Sequence, residues 1–304
     1  MSTDDVRALP VALGTTADPA GAPGAPRRRL RWASLGTPGL LLSGALVLLV
    51  LLLAAVPSLF TGFGDGPLEG CDILRSNEPP SREHWFGVDP QGCDYYTNVI
   101  HGARASVVVG LVVTGSTFVI AALLGALAGY YGGWVDAVIS RVVDIFFGLP
   151  FILAAIVVLQ LFEARTVWTV SFALAAFSWP GGVRYMRSSV LKVRGLEYVQ
   201  AAKVLGASDR RVIFGHVVPN SLTPLLVLQT LGVGAAISAE AGLTFIGVGL
   251  TPPAVSWGLQ LAVAREYISL APHLLVFPAV FLTLTVLGFV VFGETLRDTL
   301  DPRR

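Results

Sequence analysis

The sequence predicts an all-α membrane protein with six transmembrane helices, and three observations carry that prediction. Of the 304 residues, 54% are hydrophobic and 13% charged, roughly half the charge of a typical water-facing domain. Mean hydropathy is +0.70. Uncharged stretches near the ~20 residues needed to cross hydrocarbon as a helix recur along the chain. A net charge of +1 excludes a basic nucleic-acid binder. Two cysteines are too few for a disulfide scaffold or a four-ligand zinc site.

The chain divides into a tail, 1–35, and a six-helix domain, 36–304. Residues 2–26 are rich in Ala, Gly, Pro and Thr without helical period, which predicts a disordered tail. Arg27–Arg31 before an apolar run could mimic a signal peptide, but the run 38–60 is longer than an h-region and reads as a retained first helix. The remaining spans fall at 105–135, 145–162, 166–183, 212–239 and 267–293. Only Glu163, Ala164 and Arg165 separate the third from the fourth, which predicts a hairpin.

An even number of spans puts both termini on one side. With that side cytoplasmic, Arg75, Arg82, Arg104, Arg165 and Arg265 are the only basic residues outside. The reverse orientation would violate the positive-inside bias. Gly125 and Gly129 form a GxxxG spacing that permits close helix contact, read here as general packing.

Two hydrophilic segments interrupt the apolar pattern. The external loop, 61–104, holds Cys71, Cys93 and seven acids. An oxidising compartment favours a Cys71–Cys93 bridge; the alternative is two thiols packed as small hydrophobes. His84 is a lone histidine, which makes no metal site. The cytoplasmic connection, 184–220, shows a short helical period over Glu197, Val199, Ala201, Ala202, Val204 and Leu205, broken by Gly206. Ser208 and Asp209 can cap a second short helix toward His216, which Pro219 is expected to end. Small residues at Ala201, Ala202, Gly206 and Ala207 would let another surface approach this knob, the alternative being a solvated connection.

No phosphate loop of the G-x-x-x-x-G-K-[ST] type occurs, and no H-E-x-x-H, CxxC or GxSxG. The expectation is a protein that is not an enzyme, with no catalytic residue, metal or cofactor of its own.

The run Glu197-Tyr-Val-Gln-Ala-Ala-Lys-Val-Leu-Gly206-Ala-Ser, continuing to Ile213, His216 and Pro219-Asn220, resembles the EAA loop of binding-protein-dependent ABC importer permeases. Four further stretches are similar to the C-type subunit of dipeptide and oligopeptide permeases. They are His84-Trp-Phe-Gly-Val-Asp89 leading to Gly102-Ala-Arg104, Gly129-Tyr-Tyr-Gly-Gly-Trp-Val-Asp136 with Arg141, Asp144 and Pro150, Glu240-Ala-Gly-Leu-Thr-Phe-Ile-Gly247-Val-Gly249 with Pro252-Pro253 and Ser256-Trp-Gly258, and Leu296-Arg-Asp-Thr-Leu-Asp301-Pro-Arg303. The family commonly has arginine where Cys93 stands, which supports a local disulfide, and aspartate where Glu294 stands.

The resemblance implies a type I ABC importer permease fold in a bacterial plasma (inner) membrane. It implies as partners a homologous second permease, one or two ABC ATPase subunits that bind the ATP and Mg, and an extracytoplasmic substrate-binding protein. Glu197, Ala201, Ala202, Gly206, Ala207, Ser208, Asp209, Arg210 and Arg211 would form the ATPase-coupling surface. Small residues would enter a groove, Glu197 would meet its basic wall, and the arginines would hold the rim. The substrate is expected to be a di- or oligopeptide, the alternative being nickel or another small solute.

Glu240 is the acid deepest in an apolar segment and is a candidate for the pathway or its gate. The competing reading makes it a structural partner of Arg265 or of the backbone near Gly247 and Gly249. A secondary transporter would need several such groups, and a membrane enzyme a clustered catalytic set.

Overall fold

The computed structural model describes residues 38–62, 66–67 and 69–300. The tail 1–35, the Arg27–Arg31 cluster, Asp65 and the final Asp301–Arg304 lie outside them. Helices follow in the order α1 (Pro38–Ala55), α2 (Ser58–Thr61), α3 (Tyr95–Tyr131), α4 (Gly133–Phe147), α5 (Phe151–Leu159), α6 (Val167–Arg194), α7 (Glu197–Val204), α8 (Asp209–Val212), α9 (Val218–Phe245), α10 (Trp257–Tyr267) and α11 (His273–Leu300). No strand forms among the described residues.

Four stretches are long and apolar enough to cross a membrane: α1, α3, the 37 residues from Asp209 to Phe245, and α11. The pair α4 and α5, bent by 82°, makes a fifth. Helix α6, with 28 residues, is apolar in its first half and carries Arg184, Arg187, Lys192 and Arg194 in its second. The third expected span, 145–162, is therefore a broken one, because Gly148 and Pro150 interrupt the backbone ladder between α4 and α5.

Boundaries differ from the sequence expectation where polar residues lie on helices. Helix α3 begins at Tyr95 rather than near 105, because Asp94 caps it by accepting from the Thr97 amide at 2.9 Å. Arg104 therefore sits on the helix, not in the loop. Pro219 does not end a helix: it occupies the first turn of α9, where its missing N–H costs little. A π turn, Ile213–Val217, joins α8 to α9 without a break.

Two buried prolines inside helices free carbonyls that find other donors. Pro180 cannot donate to the carbonyl of Ala176, and the Trp179 indole donates there instead at 3.0 Å. Pro278 likewise frees the carbonyl of Leu274, which accepts from the Tyr95 hydroxyl at 2.6 Å.

Helices α3 and α6 run parallel and in close contact. A Cβ on Gly125 would lie 2.6 Å from Met186 Cβ, and one on Gly129 would lie 2.8 Å from Val190 Cβ. The GxxxG spacing is the seam of this pair. Gly132 and Gly133, both at positive φ (67° and 53°), then turn the chain out of α3 into α4. Asp136 and Asp144 of α4 pair with Arg187 and Arg184 of α6, holding the broken span against its neighbour.

At the N-terminal end of α3, Cys71 and Cys93 form a disulfide across 22 residues, a constraint of about 3 kcal/mol in the chain-entropy model. The buried Asp89 organises the same loop. Its Oδ1 accepts from the amides of Gln91 and Cys93, both at 2.9 Å, and its Oδ2 from Asn98 Nδ2 at 2.7 Å. His84 Nδ1 lies 2.9 Å from Asp94 Oδ1, so His84 serves the cap of α3.

Candidate functional site

The knob sits at the far end of α3, about 55 Å from that loop by helical rise. Its inner side is apolar. Val199, Val212, Ile213 and Val217 are buried against Tyr130, Met186, Val190 and Val193 in one continuous core cluster. Polar bonds add direction. Arg194 Nη1 donates to the carbonyls of Gly129 (3.3 Å) and Tyr130 (2.6 Å), which satisfies the end of α3. Tyr130 donates to Asp209 Oδ1 at 2.6 Å, and Lys203 Nζ stands 4.5 Å from the centre of the Tyr130 ring. Gln200 Nε2 donates to the Arg194 carbonyl at 2.7 Å.

The residues expected on the coupling surface separate into two groups. Glu197 and Ala201, one helical turn apart, are exposed on the outer face of α7. Ser208, Arg210 and Arg211 border a shallow depression together with Phe214. Ala202 and Ala207 are half-buried instead, and the Ala207 amide donates to the Ala202 carbonyl at 3.0 Å to close the α7–α8 turn. Ser208 stands at the N-cap of α8 without a side-chain cap bond, and Asp209 is engaged by Tyr130. Gly206 has φ +82°, and a Cβ there would meet nothing within 4 Å.

Sequence reasoning missed the tip. Val204 and Leu205, which the helical period includes, are 87% and 86% exposed. At 100° per residue they lie roughly 140° and 120° around the helix from the buried Val199. That arithmetic places them outward, and it was available from the spacing alone.

A cleft of about 550 Å³ opens in the membrane region between α3, the α4–α5 bend, α6 and α9. Its wall is mainly apolar, with Phe146, Phe147 and Phe151 at the bend and glycines and alanines on α6 and α9. Thr114, Thr117, Ser178 and Gln229 contribute its polar side chains.

Glu240 does not face this cleft. It is fully buried in α9, where Oε1 accepts from Thr244 Oγ1 (2.9 Å) and Ser256 Oγ (3.2 Å) and Oε2 from Ser106 Oγ (3.2 Å). Three hydroxyls from α3, α9 and the N-cap of α10 thus converge on one carboxyl. Arg265 is not its partner: its guanidinium lies 5.7 Å from the Phe245 ring centre. Gly258 belongs to the same junction, since a Cβ there would stand 3.1 Å from Glu240 Oε1.

Apolar helices long enough to cross a membrane, opened by an apolar cleft and carrying a projecting knob, suit a membrane transport subunit. Residues 121–304 match the family described as binding-protein-dependent transport system inner membrane component, and the chain belongs to that family. It is 41% identical to the dipeptide transport system permease protein DppC of Alkalihalophilus pseudofirmus, over 74% of this chain and 73% of that protein. It is 38% identical to the glutathione transport system permease protein GsiD of Pectobacterium atrosepticum, over 76% and 77%. It is 33% identical to the oligopeptide transport system permease protein OppC of Bacillus subtilis, over 90% and 88%. Among solved structures, a chain of the MetNI methionine ABC transporter in an inward-facing conformation shares the fold, with TM-score 0.56 at 17% identity, over 67% of this chain and 97% of that one.

Proposed function

We propose that this chain is the transmembrane subunit of an ATP-driven importer of di- and oligopeptides, forming half of the pathway and coupling it to separate ATPase subunits. The observation that carries the coupling role is the knob: an apolar tip at Val204 and Leu205, next to the unobstructed Gly206, on a base fastened to α3 and α6. Exposed apolar side chains on a rigid projection favour a protein partner over solvent. The partner ATPase holds ATP and Mg; this chain transmits its motion.

The other partners are a homologous second permease that closes the open side of the cleft and an extracytoplasmic binding protein that delivers substrate. In this reading the knob end faces the cytoplasm, with both termini, and the disulfide loop faces the oxidising side. The peptide assignment is supported by relatives named for dipeptide, oligopeptide and glutathione transport.

The test is uptake of labelled peptides and of nickel in a strain lacking the gene, with the wild-type chain restored. Peptide uptake dependent on the chain is expected. Nickel uptake alone would transfer the role to the metal alternative, and uptake independent of ATP would indicate a secondary transporter. Leu205→Cys should cross-link to the ATPase in the assembled complex, and failure from every position of the tip would overturn the coupling role.

A further inference from the structure

The four polar side chains of the cleft are not equivalent. Thr114 Oγ1 donates to the Gly110 carbonyl at 2.7 Å, and Ser178 Oγ to the Leu174 carbonyl at 2.6 Å. Both hydroxyls spend their proton on their own helix. Thr117 Oγ1 shares its single proton between the Thr114 carbonyl (3.1 Å) and Gln229 Oε1 (3.3 Å). Gln229 is thereby held at its oxygen, while its Nε2 donates to no protein group among the described residues and is not sealed from the cleft. Glycines leave room beside the amide: a Cβ on Gly182 would stand 3.5 Å from Nε2, and one on Gly232 3.3 Å from Oε1.

A primary amide with a free donor in an apolar membrane cleft is unfavourable unless something meets it. The geometry points to Gln229 as a substrate-contacting residue of the pathway, with Nε2 donating to a backbone carbonyl of the peptide in transit. This rests on the peptide-import reading above and adds to it a specific contact. A peptide entering this cleft leaves water, and its carbonyls then lack donors. The other hydroxyls of the wall are occupied, so Gln229 is the side chain that can replace a lost water. The volume fits, since ligand pockets run from about 300 to 1,000 Å³. Such a contact lowers the barrier to passage and leaves capture by the separate binding protein unchanged.

The experiment uses the complete complex in proteoliposomes with Gln229→Met, which preserves length and removes the donor, and Gln229→Asn, which retains a donor one methylene shorter. Gln229→Met is expected to lower the maximal rate of peptide uptake about three- to tenfold, the effect of losing one net hydrogen bond. The half-saturating peptide concentration should stay unchanged, and more ATP should be hydrolysed per peptide imported. Gln229→Asn should recover part of the rate, and Thr117→Val, which leaves the donor in place, should cost less than Gln229→Met. Wild-type rates and stoichiometry in Gln229→Met would overturn the contact. Loss of co-purification with the second permease would overturn it too, by making Gln229 a subunit-interface residue. Absence of peptide uptake by the wild type would instead defeat the underlying import reading.

Discussion

Replacing Gly206 separates the surface of the knob from its backbone. At φ +82° the residue occupies left-handed space, and a Cβ there would touch nothing within 4 Å. Alanine therefore introduces no clash, only the left-handed cost of about 1–2 kcal/mol for an L-residue. The surrounding turn resists distortion, because the Gly206 amide donates to Lys203 and the Ala207 amide to Ala202, both at 3.0 Å. Asparagine, which tolerates this region better, should cost less than alanine. Arginine carries the same backbone cost and adds a long charged side chain on the open face beside Leu205. In purified complex reconstituted with its ATPase and binding protein, Gly206→Asn and Gly206→Ala should retain most substrate-stimulated ATP hydrolysis. Gly206→Arg should lose at least about tenfold in uptake, equivalent to roughly 1.4 kcal/mol of docking, at unchanged membrane level. Full uptake and stimulated hydrolysis with Gly206→Arg would refute the docking role. Equal loss in the alanine and arginine variants would assign the effect to backbone conformation instead.

Gly129→Leu should overpack the α3–α6 seam, where a Cβ alone would stand 2.8 Å from Val190, and destabilise the detergent-solubilised protein by about 1–3 kcal/mol, read as a lower melting temperature. Glu240→Leu leaves the hydroxyls of Ser106, Thr244 and Ser256 without their acceptor, at about 1–3 kcal/mol for each that finds no other. Glu240→Gln should be milder, and equal melting temperatures for the two would argue against a hydroxyl-accepting role. Burial raises the pKa of Asp89 above its ordinary 3.8, against the lowering effect of the Cys93, Gln91 and Gly92 amides and of Asn98. A raised acid binds its proton more tightly in the folded loop, so this contribution to stability is complete below 3.8 and lost as pH rises through the folded value. The stability of wild type relative to Asp89→Asn, followed by thermal unfolding, should therefore improve as pH falls, and a constant or opposite trend would contradict the assignment.

The sequence disclosed most where one residue type has one physical use. Uncharged runs located the apolar helices, and Glu163 to Arg165 marked the turn before α6. Gly125 and Gly129 announced a close contact, but not its partner, because facing Met186 and Val190 lie about 60 residues away and only packing pairs them. Helix ends were less legible. Hydropathy discounts Tyr95 to Arg104 as polar, whereas the Asp94 cap and the bonds from Trp257 and Gln260 to the carbonyls of Val99 and Asn98 hold that turn helical. Pro219, expected to end a helix, opens one instead, because proline is at home in a first turn. Glu240 stands out from its apolar setting, and Thr244 lies one helical turn on, but its other hydroxyl partners come from positions 106 and 256, which only packing brings to it.

The way the knob is fastened constrains how the walls of the cleft can move. Chain continuity joins it to α9, since the helix from Asp209 to Phe245 spans about 55 Å and carries Gln229 on the cleft wall. Hydrogen bonds join it as well to the end of α3, through Arg194 to Gly129 and Tyr130 and through Tyr130 to Asp209. A knob held by α9 alone could swing that wall relative to α3. Fastened to both, and packed with α6 in one core, it carries three walls of the cleft together. The fourth wall, at the α4–α5 bend, is tied to α6 by Asp136–Arg187 and Asp144–Arg184. Displacing the knob therefore moves this cleft more as a body than it deforms it, because close-packed interiors resist continuous deformation. In the importer reading proposed above, opening and closing would then fall at the open side of the cleft rather than within it.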